Sequence, residues 1–264
     1  MNERISTDRR RFSPPLLTLI LTAAVAMAAC VHTDTGRPVK KDNAAGYNVQ
    51  LGIAYMHQGN LQLAKDKLDR AMAEDPQEPS VHSAMALLYD RLELPAKADE
   101  EFREALRLGP NDPDILNNYA IYLCRTGKTD QGVKFFMTAA HNRLYRTPET
   151  AYTNAGVCLR GGNRLDQAEQ QFQKALNLRP NDPEAAYQLV DLEYSRSNLS
   201  GARMQLDQYL GAFEATPDLL FLGVRLTRAQ GDRIAADRLA RKLRLDFPSS
   251  DQARALAELD RHPG

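Results

Sequence analysis

The stretch from Ala45 to Pro76, AGYNVQLGIAYMHQGNLQLAKDKLDRAMAEDP, sets the reading of the chain because its pattern returns. Its fixed points are Leu51-Gly52, Tyr55, Gly59-Asn60, Ala64, Leu68, Ala71 and Pro76, and 34 residues later the matching places hold Tyr89, Ala98, Phe102, Ala105 and Pro110. A fixed period of that length marks an array of repeats. With Ala45 as slot 1, small residues fall at slots 8, 20 and 27 and large apolar ones at slots 7, 11 and 24, with slot 4 apolar in later copies such as Leu116 and Tyr152. Small residues let two helices approach closely and the large ones fill the gaps between them. One such unit cannot bury its apolar face alone, so the copies must stack.

These residues resemble the tetratricopeptide repeat, two antiparallel helices with a proline opening the connection to the next unit. The resemblance implies an all-α, right-handed superhelical solenoid of about six repeats closed by a C-terminal capping helix. Repeat one occupies about 45–78 and repeat two about 79–112, with Pro95 opening its second helix, where a missing N–H costs little. Repeat three starts at about 113 and carries Gly132 where alanine is expected. Repeat four starts 36 residues on, at about Glu149, so two residues are inserted around Asn142 to Pro148. Repeat five, about 183–216, drifts, with Glu193 in the slot that holds tyrosine elsewhere and Tyr209 in place of alanine. Repeat six, about 217–248, has a weakened first helix, its Leu222-Gly223 falling one position early. The domain reading is therefore a signal at 1–29, a flexible tether at 30–43, the solenoid at 44–248, and a capping helix with tail at 249–264.

The first thirty residues read as an export signal. Arg4, Arg9, Arg10 and Arg11 make a basic start, Leu16 to Ala26 an apolar core, and Met27-Ala28-Ala29-Cys30 a small-residue close. An apolar run of that length falls short of the roughly 20 residues that span a bilayer. The last four residues resemble a bacterial lipobox, with Met27 where leucine is usual. The resemblance implies lipidation of Cys30, which becomes the mature N-terminus; the other reading is a soluble periplasmic chain cleaved nearby. Val31 stands where an inner-membrane retention signal would have aspartate, so the expected location is the periplasmic face of the outer membrane. The triple arginine fits a general or a twin-arginine export route.

Composition excludes several classes of function. The chain has 264 residues, 43% hydrophobic and 26% charged, no tryptophan and a formal charge of zero. Removing the first 29 residues leaves 30 basic and 32 acidic side chains, so nothing attracts nucleic acid. The five histidines, at positions 32, 57, 82, 141 and 262, stand at no metal-ligand spacing, and no phosphate loop or nucleophile elbow occurs. The expectation is a monomeric binding protein without catalytic residue, metal or cofactor. Beyond Cys30 two cysteines remain, Cys124 and Cys158, in the first helices of adjacent repeats. In an oxidising compartment a facing pair forms a disulfide; the alternative is two independent buried thiols.

In arrays of this kind slots 2, 5, 9, 12 and 13 of each first helix line a concave groove. The resemblance places there Val49, Ile53, Met56 and His57 from repeat one, with Ser83, Leu87, Asp90 and Arg91 from repeat two. Repeats three and four would add Asn117, Ile121, Arg125, Thr153 and Arg160. The apolar stripe Val49, Ile53, Met56 suits the apolar face of a partner helix. Two other readings stand beside it: cover by residues 31–43, or a partly core position.

A closer resemblance rests on Asn48 to Asn60, on Asn117-Asn118-Tyr119 through Leu123-Cys124, on Leu144-Tyr145-Arg146-Thr147-Pro148-Glu149, and on Asn154-Ala155-Gly156-Val157-Cys158. With the lipobox, these are similar to the type IV pilus biogenesis and stability lipoproteins of the PilF/PilW family. The match covers nearly the whole mature chain, and the cysteine-bearing join between repeats three and four is its most specific part. It implies a pilotin, a lipid-anchored protein that binds pilus secretin subunits and promotes their outer-membrane localisation and multimerisation. The alternative from another class is a periplasmic adaptor that scaffolds peptidoglycan-remodelling enzymes.

Overall fold

In the computed structural model, which describes residues 41–261, the chain is built of thirteen α-helices, with no strand among the described residues. Twelve pair into hairpins: α1 (Lys41–His57) with α2 (Leu61–Glu74), α3 (Pro79–Arg91) with α4 (Pro95–Leu108), and α5 (Pro113–Arg125) with α6 (Thr129–Ala140). The array continues as α7 (Pro148–Gly161) with α8 (Leu165–Leu178), α9 (Pro183–Ser195) with α10 (Leu199–Ala212), and α11 (Pro217–Ala229) with α12 (Arg233–Asp246). A last helix, α13 (Asp251–Arg261), packs on α11 and α12. Each first helix also packs on the first helix of the next repeat, which makes the molecule an all-α solenoid. Helix α1 opens at Lys41, inside the stretch read from sequence as tether. The signal segment, Cys30 and residues 31–40 lie outside the described residues.

Local sequence explains where the helices start and turn. Proline occupies the first turn of α3, α4, α5, α7, α9 and α11, where no N–H is needed. The side chains of Asn60, Asp112, Asp182, Asn198, Thr216 and Asp232 accept from backbone N–H groups of the turns they open. Inside every hairpin the turn holds one residue at positive φ: Gly59, Glu93, Gly127, Asn163, Ser197 and Gly231. These recur every 34 residues except across the insertion.

Small residues sit where the two helices of a hairpin cross. A Cβ on Gly52 would lie 2.6 Å from Leu68, and one on Gly156 would run into the Phe172 ring. In repeat five the crossing slot holds Val190, which is buried, in place of a small residue. Between repeats, Phe102 packs on Tyr119 and Tyr122 with ring centroids 5.2 and 5.3 Å away. The two hydroxyls bond outward, Tyr122 to the Pro95 carbonyl at 2.8 Å and Tyr119 to Asp99 at 3.0 Å. The inserted loop before α7 is pinned at both ends. Asn142 donates to the Asn111 carbonyl at 2.7 Å, and Tyr145 is buried against Leu116, Phe136 and Ala151.

Candidate partner-binding surfaces

The first helices carry a ladder of polar contacts from repeat to repeat. Arg125 on α5 pairs with Asp90 on α3, and Asn154 on α7 donates to Asn117 on α5 at 3.1 Å. Arg160 on α7 reaches Asp191 at 2.6 Å and Gln188 at 3.2 Å on α9, and Arg225 on α11 lies 5.3 Å from the Tyr194 ring centre. Asp114, at the start of α5, is held above its ordinary pKa by burial and by the neighbouring Asp112 carboxylate.

Cys124 and Cys158 are joined by a disulfide, with Cα atoms 5.5 Å apart, so α5 and α7 are covalently linked across the repeat three to four join. Ile121 and Val157, 42% and 43% exposed, flank a cavity of about 390 Å³ beside the bridge. The same bridge accounts for Gly132. A Cβ there would run into Cys124 Sγ and come within 2.9 Å of the Ala120 carbonyl oxygen.

The residues expected to form the groove at repeats one and two separate into two groups. Val49 and Met56 are 7% and 6% exposed and belong to the core between the first two hairpins, packed among Ala64, Leu68, Val81 and Met85. This corrects their reading as partner-facing: the first helix of repeat two occupies the side from which a partner would approach them. Ser83, Asn117 and Thr153 are buried as well. Ile53 and Leu87 are partly buried against the same core, while His57 and Arg91 are exposed.

The apolar surface that repeat one leaves open lies elsewhere. Tyr47 is 54% exposed and Leu51 44%, Ala54 is exposed beside them, and Leu63 on α2 is 38% exposed. Tyr47, Leu51 and Ala54 fall at slots 3, 7 and 10. In later repeats those slots are buried, as Val81, Met85 and Leu88 in repeat two and Ile115, Tyr119 and Tyr122 in repeat three. What buries them there is the preceding repeat, as Phe102 does for Tyr119 and Tyr122. Repeat one has no described neighbour on that side. The signal for this face was present in the sequence: a core slot in the first repeat of the array.

No group of three or more His, Cys, Asp or Glu able to hold a metal ion occurs among the described residues. His82 is spent on structure, its Nδ1 2.7 Å from Glu101 and its Nε2 2.9 Å from the Pro76 carbonyl, tying α3 to α4 and to the preceding loop.

Models of the tetratricopeptide repeat match residues 101–134 and 153–218. The type IV pilus assembly protein PilF of Pseudomonas aeruginosa is 29% identical over 236 residues, spanning 88% of this chain and 94% of that protein. The solved structure of Pseudomonas aeruginosa PilF superposes with a TM-score of 0.63 at 28% identity, covering 83% of this chain and 98% of that one. PilW, a widely conserved type IV pilus biogenesis factor, gives a TM-score of 0.65 at 26% identity, covering 81% and 98%. With a repeat array on the page and relatives matched along almost their full length, the chain is a tetratricopeptide-repeat protein similar to the type IV pilus biogenesis factors PilF and PilW.

Proposed function

We propose that this protein is a pilotin: a lipoprotein anchored through Cys30 to the periplasmic face of the outer membrane. It captures subunits of the pilus secretin and promotes their localisation and multimerisation there. The observation that carries the reading is the open end face of repeat one. Tyr47, Leu51 and Ala54 stand at the slots that a neighbouring helix covers everywhere else in the array, so the face fits an amphipathic helix from a partner. Burying Tyr47 and Leu51 would contribute about 2 to 3 kcal/mol each before the cost of ordering the partner. In the same two repeats His57 and Arg91 are exposed and Ile53 and Leu87 partly buried, at slots expected to line the groove. The support for secretin as the partner is the pilus assembly role of PilF together with the resemblance at the cysteine-bearing join.

Retention of the secretin by the purified chain tests the site. Tyr47→Asp with Leu51→Asp should reduce capture at least tenfold with the helical circular dichroism unchanged, since both side chains are open to water. Undiminished capture would remove this face from the mechanism. Met56→Asp is no substitute for this pair, because it buries a carboxylate in the core and unfolds repeat one.

A further inference from the structure

The second helix of the last repeat, α12, departs from the other five second helices on its solvent side. Ile234, Arg238, Arg241 and Leu245 follow one another at steps of four, three and four residues and so share one face of the helix. Ile234 is 75% exposed, Leu245 78%, and both arginines are exposed. The opposite face, Ala235, Ala236, Ala240 and Leu243, is buried in the array. In the five earlier repeats the place of Ile234 holds Gln, Ala, Asp, Asp and Ser, and that of Leu245 holds Ala, Arg, His, Asn and Gly. No other second helix presents large apolar residues at these two places. The places of the two arginines hold acidic residues four times and basic ones twice in the earlier repeats.

The helix is also the cationic stretch of a chain whose formal charge is zero. It carries Arg233, Arg238, Arg241, Lys242 and Arg244 against Asp237 and Asp246. Lys242 bonds Asp246, and Arg244 is paired with Asp260. Among the described residues no carboxylate lies within ion-pair distance of Arg238 or Arg241.

The shape of the stripe decides what it fits. Ile234 and Leu245 are about 16 Å apart along the helix axis, at ~1.5 Å per residue, and the residues between them are the two arginines. A continuous apolar seam, which a partner helix would need, is missing. A convex helix face with apolar ends and a cationic middle suits a flat anionic interface instead. There the aliphatic side chains reach the acyl boundary while the arginines take headgroup phosphates.

We propose that the outward face of α12 rests on an anionic phospholipid bilayer, giving the protein a second membrane contact beyond the N-terminal one. In the cell this rests on the membrane attachment proposed above, since a chain already held at the surface needs only a weak additional contact.

The absence of tryptophan provides the probe: Leu245→Trp makes α12 the single emitter. The chain from Cys30 onward is coupled through that thiol to a maleimide lipid, Cys124 and Cys158 being paired. Emission is then read on phosphatidylglycerol and on phosphatidylcholine vesicles. The expected result is a blue shift on phosphatidylglycerol, quenched by brominated acyl chains and absent on phosphatidylcholine. Adding Arg238→Gln and Arg241→Gln should lower the ratio of bound to free helix by about 25-fold, about fivefold per arginine. Leu178→Trp, at a 54% exposed position on α8, should stay unshifted. An unshifted Leu245→Trp on phosphatidylglycerol overturns the proposal, and so does a shift that is equal on both lipids or indifferent to the arginines. A shift that grows with protein concentration without vesicles overturns it in favour of a second copy of the chain. Chemical coupling replaces natural acylation and no secretin is present, so this test fails or succeeds independently of the pilotin reading.

Discussion

Gly132 stands at a slot where the other five repeats carry alanine, Ala64, Ala98, Ala168, Ala202 and Ala236. From sequence it read as an irregularity of repeat three. The structure gives the reason in Cys124, whose sulfur turns toward Cys158 and fills the space a methyl group would take. Gly132→Ala should therefore destabilise the protein by about 1 to 3 kcal/mol through overpacking and leave more free thiol after oxidative refolding. Urea denaturation and thiol titration measure the two effects, and an alanine variant of normal stability and full oxidation would refute the coupling. Glu93 is a second residue in tension with its place. It sits at φ 58° in a turn where three other repeats use glycine. Glu93→Gly should raise stability by about 0.5 to 1 kcal/mol, the cost of a non-glycine residue in the left-handed region less the entropy of glycine. An unchanged or lowered denaturation midpoint would show that this turn is not strained. The same scale holds the error over Val49 and Met56. The slot table assigns slot 5 to the groove, yet that slot is buried in repeats one to four, as Val49, Ser83, Asn117 and Thr153, while slots 3 and 7 count as core although repeat one has no described neighbour to cover them. Val49 and Met56 turn inward to the second hairpin, and Tyr47 and Leu51, core by slot, are left outside.

At the scale of the elements the sequence was most legible, because a 34-residue period carries helix, turn and crossing signals together. Proline at the first turn, a small residue at the crossing and a turn residue able to take positive φ coincide in repeats three, four and six, with at least one of the three in every other copy, and the helices lie where they were expected. The closing helix was legible at 249–264 from the amphipathic spacing of Ala253, Leu256 and Leu259 behind a capping Ser250 or Asp251. In the structure Ala253 and Leu256 complete a core with Leu220, Val224, Ala240 and Leu243, while Leu259 remains 36% exposed. Leu256→Ala should accordingly cost about 2 to 4 kcal/mol and make the C-terminal repeat the first to open, seen as faster hydrogen exchange in α11 and α12 than in α5. A uniform loss of protection along the whole array would contradict the assignment of α13 as a local cap. Illegible at this scale was the solvent side of α12. Slots 18, 22, 25 and 29 of a repeat obey no packing rule, so the exposed stripe emerges only when the six copies are compared at known exposure.

For the whole molecule, stacking leaves two ends with different fates: α13 covers the far end, while the near end shows Tyr47, Leu51 and Ala54 to solvent. An array whose interior slots are filled by its own repeats can take a partner helix at its open end, and the proposed partner there is the secretin. Which secretin segment is taken was not legible, because the chemistry of a helix-sized apolar face specifies a pattern and not a sequence. The measurement that tests this most directly is the survival of heat-labile secretin multimers in outer-membrane fractions. The cells would lack the protein and be complemented with the intact chain, Cys30→Ala, or Tyr47→Asp with Leu51→Asp. The account predicts multimers in the outer membrane only with the intact chain, both variants being present at normal levels. Normal multimers in the uncomplemented cells would contradict it, and an adaptor of peptidoglycan-remodelling enzymes would take its place.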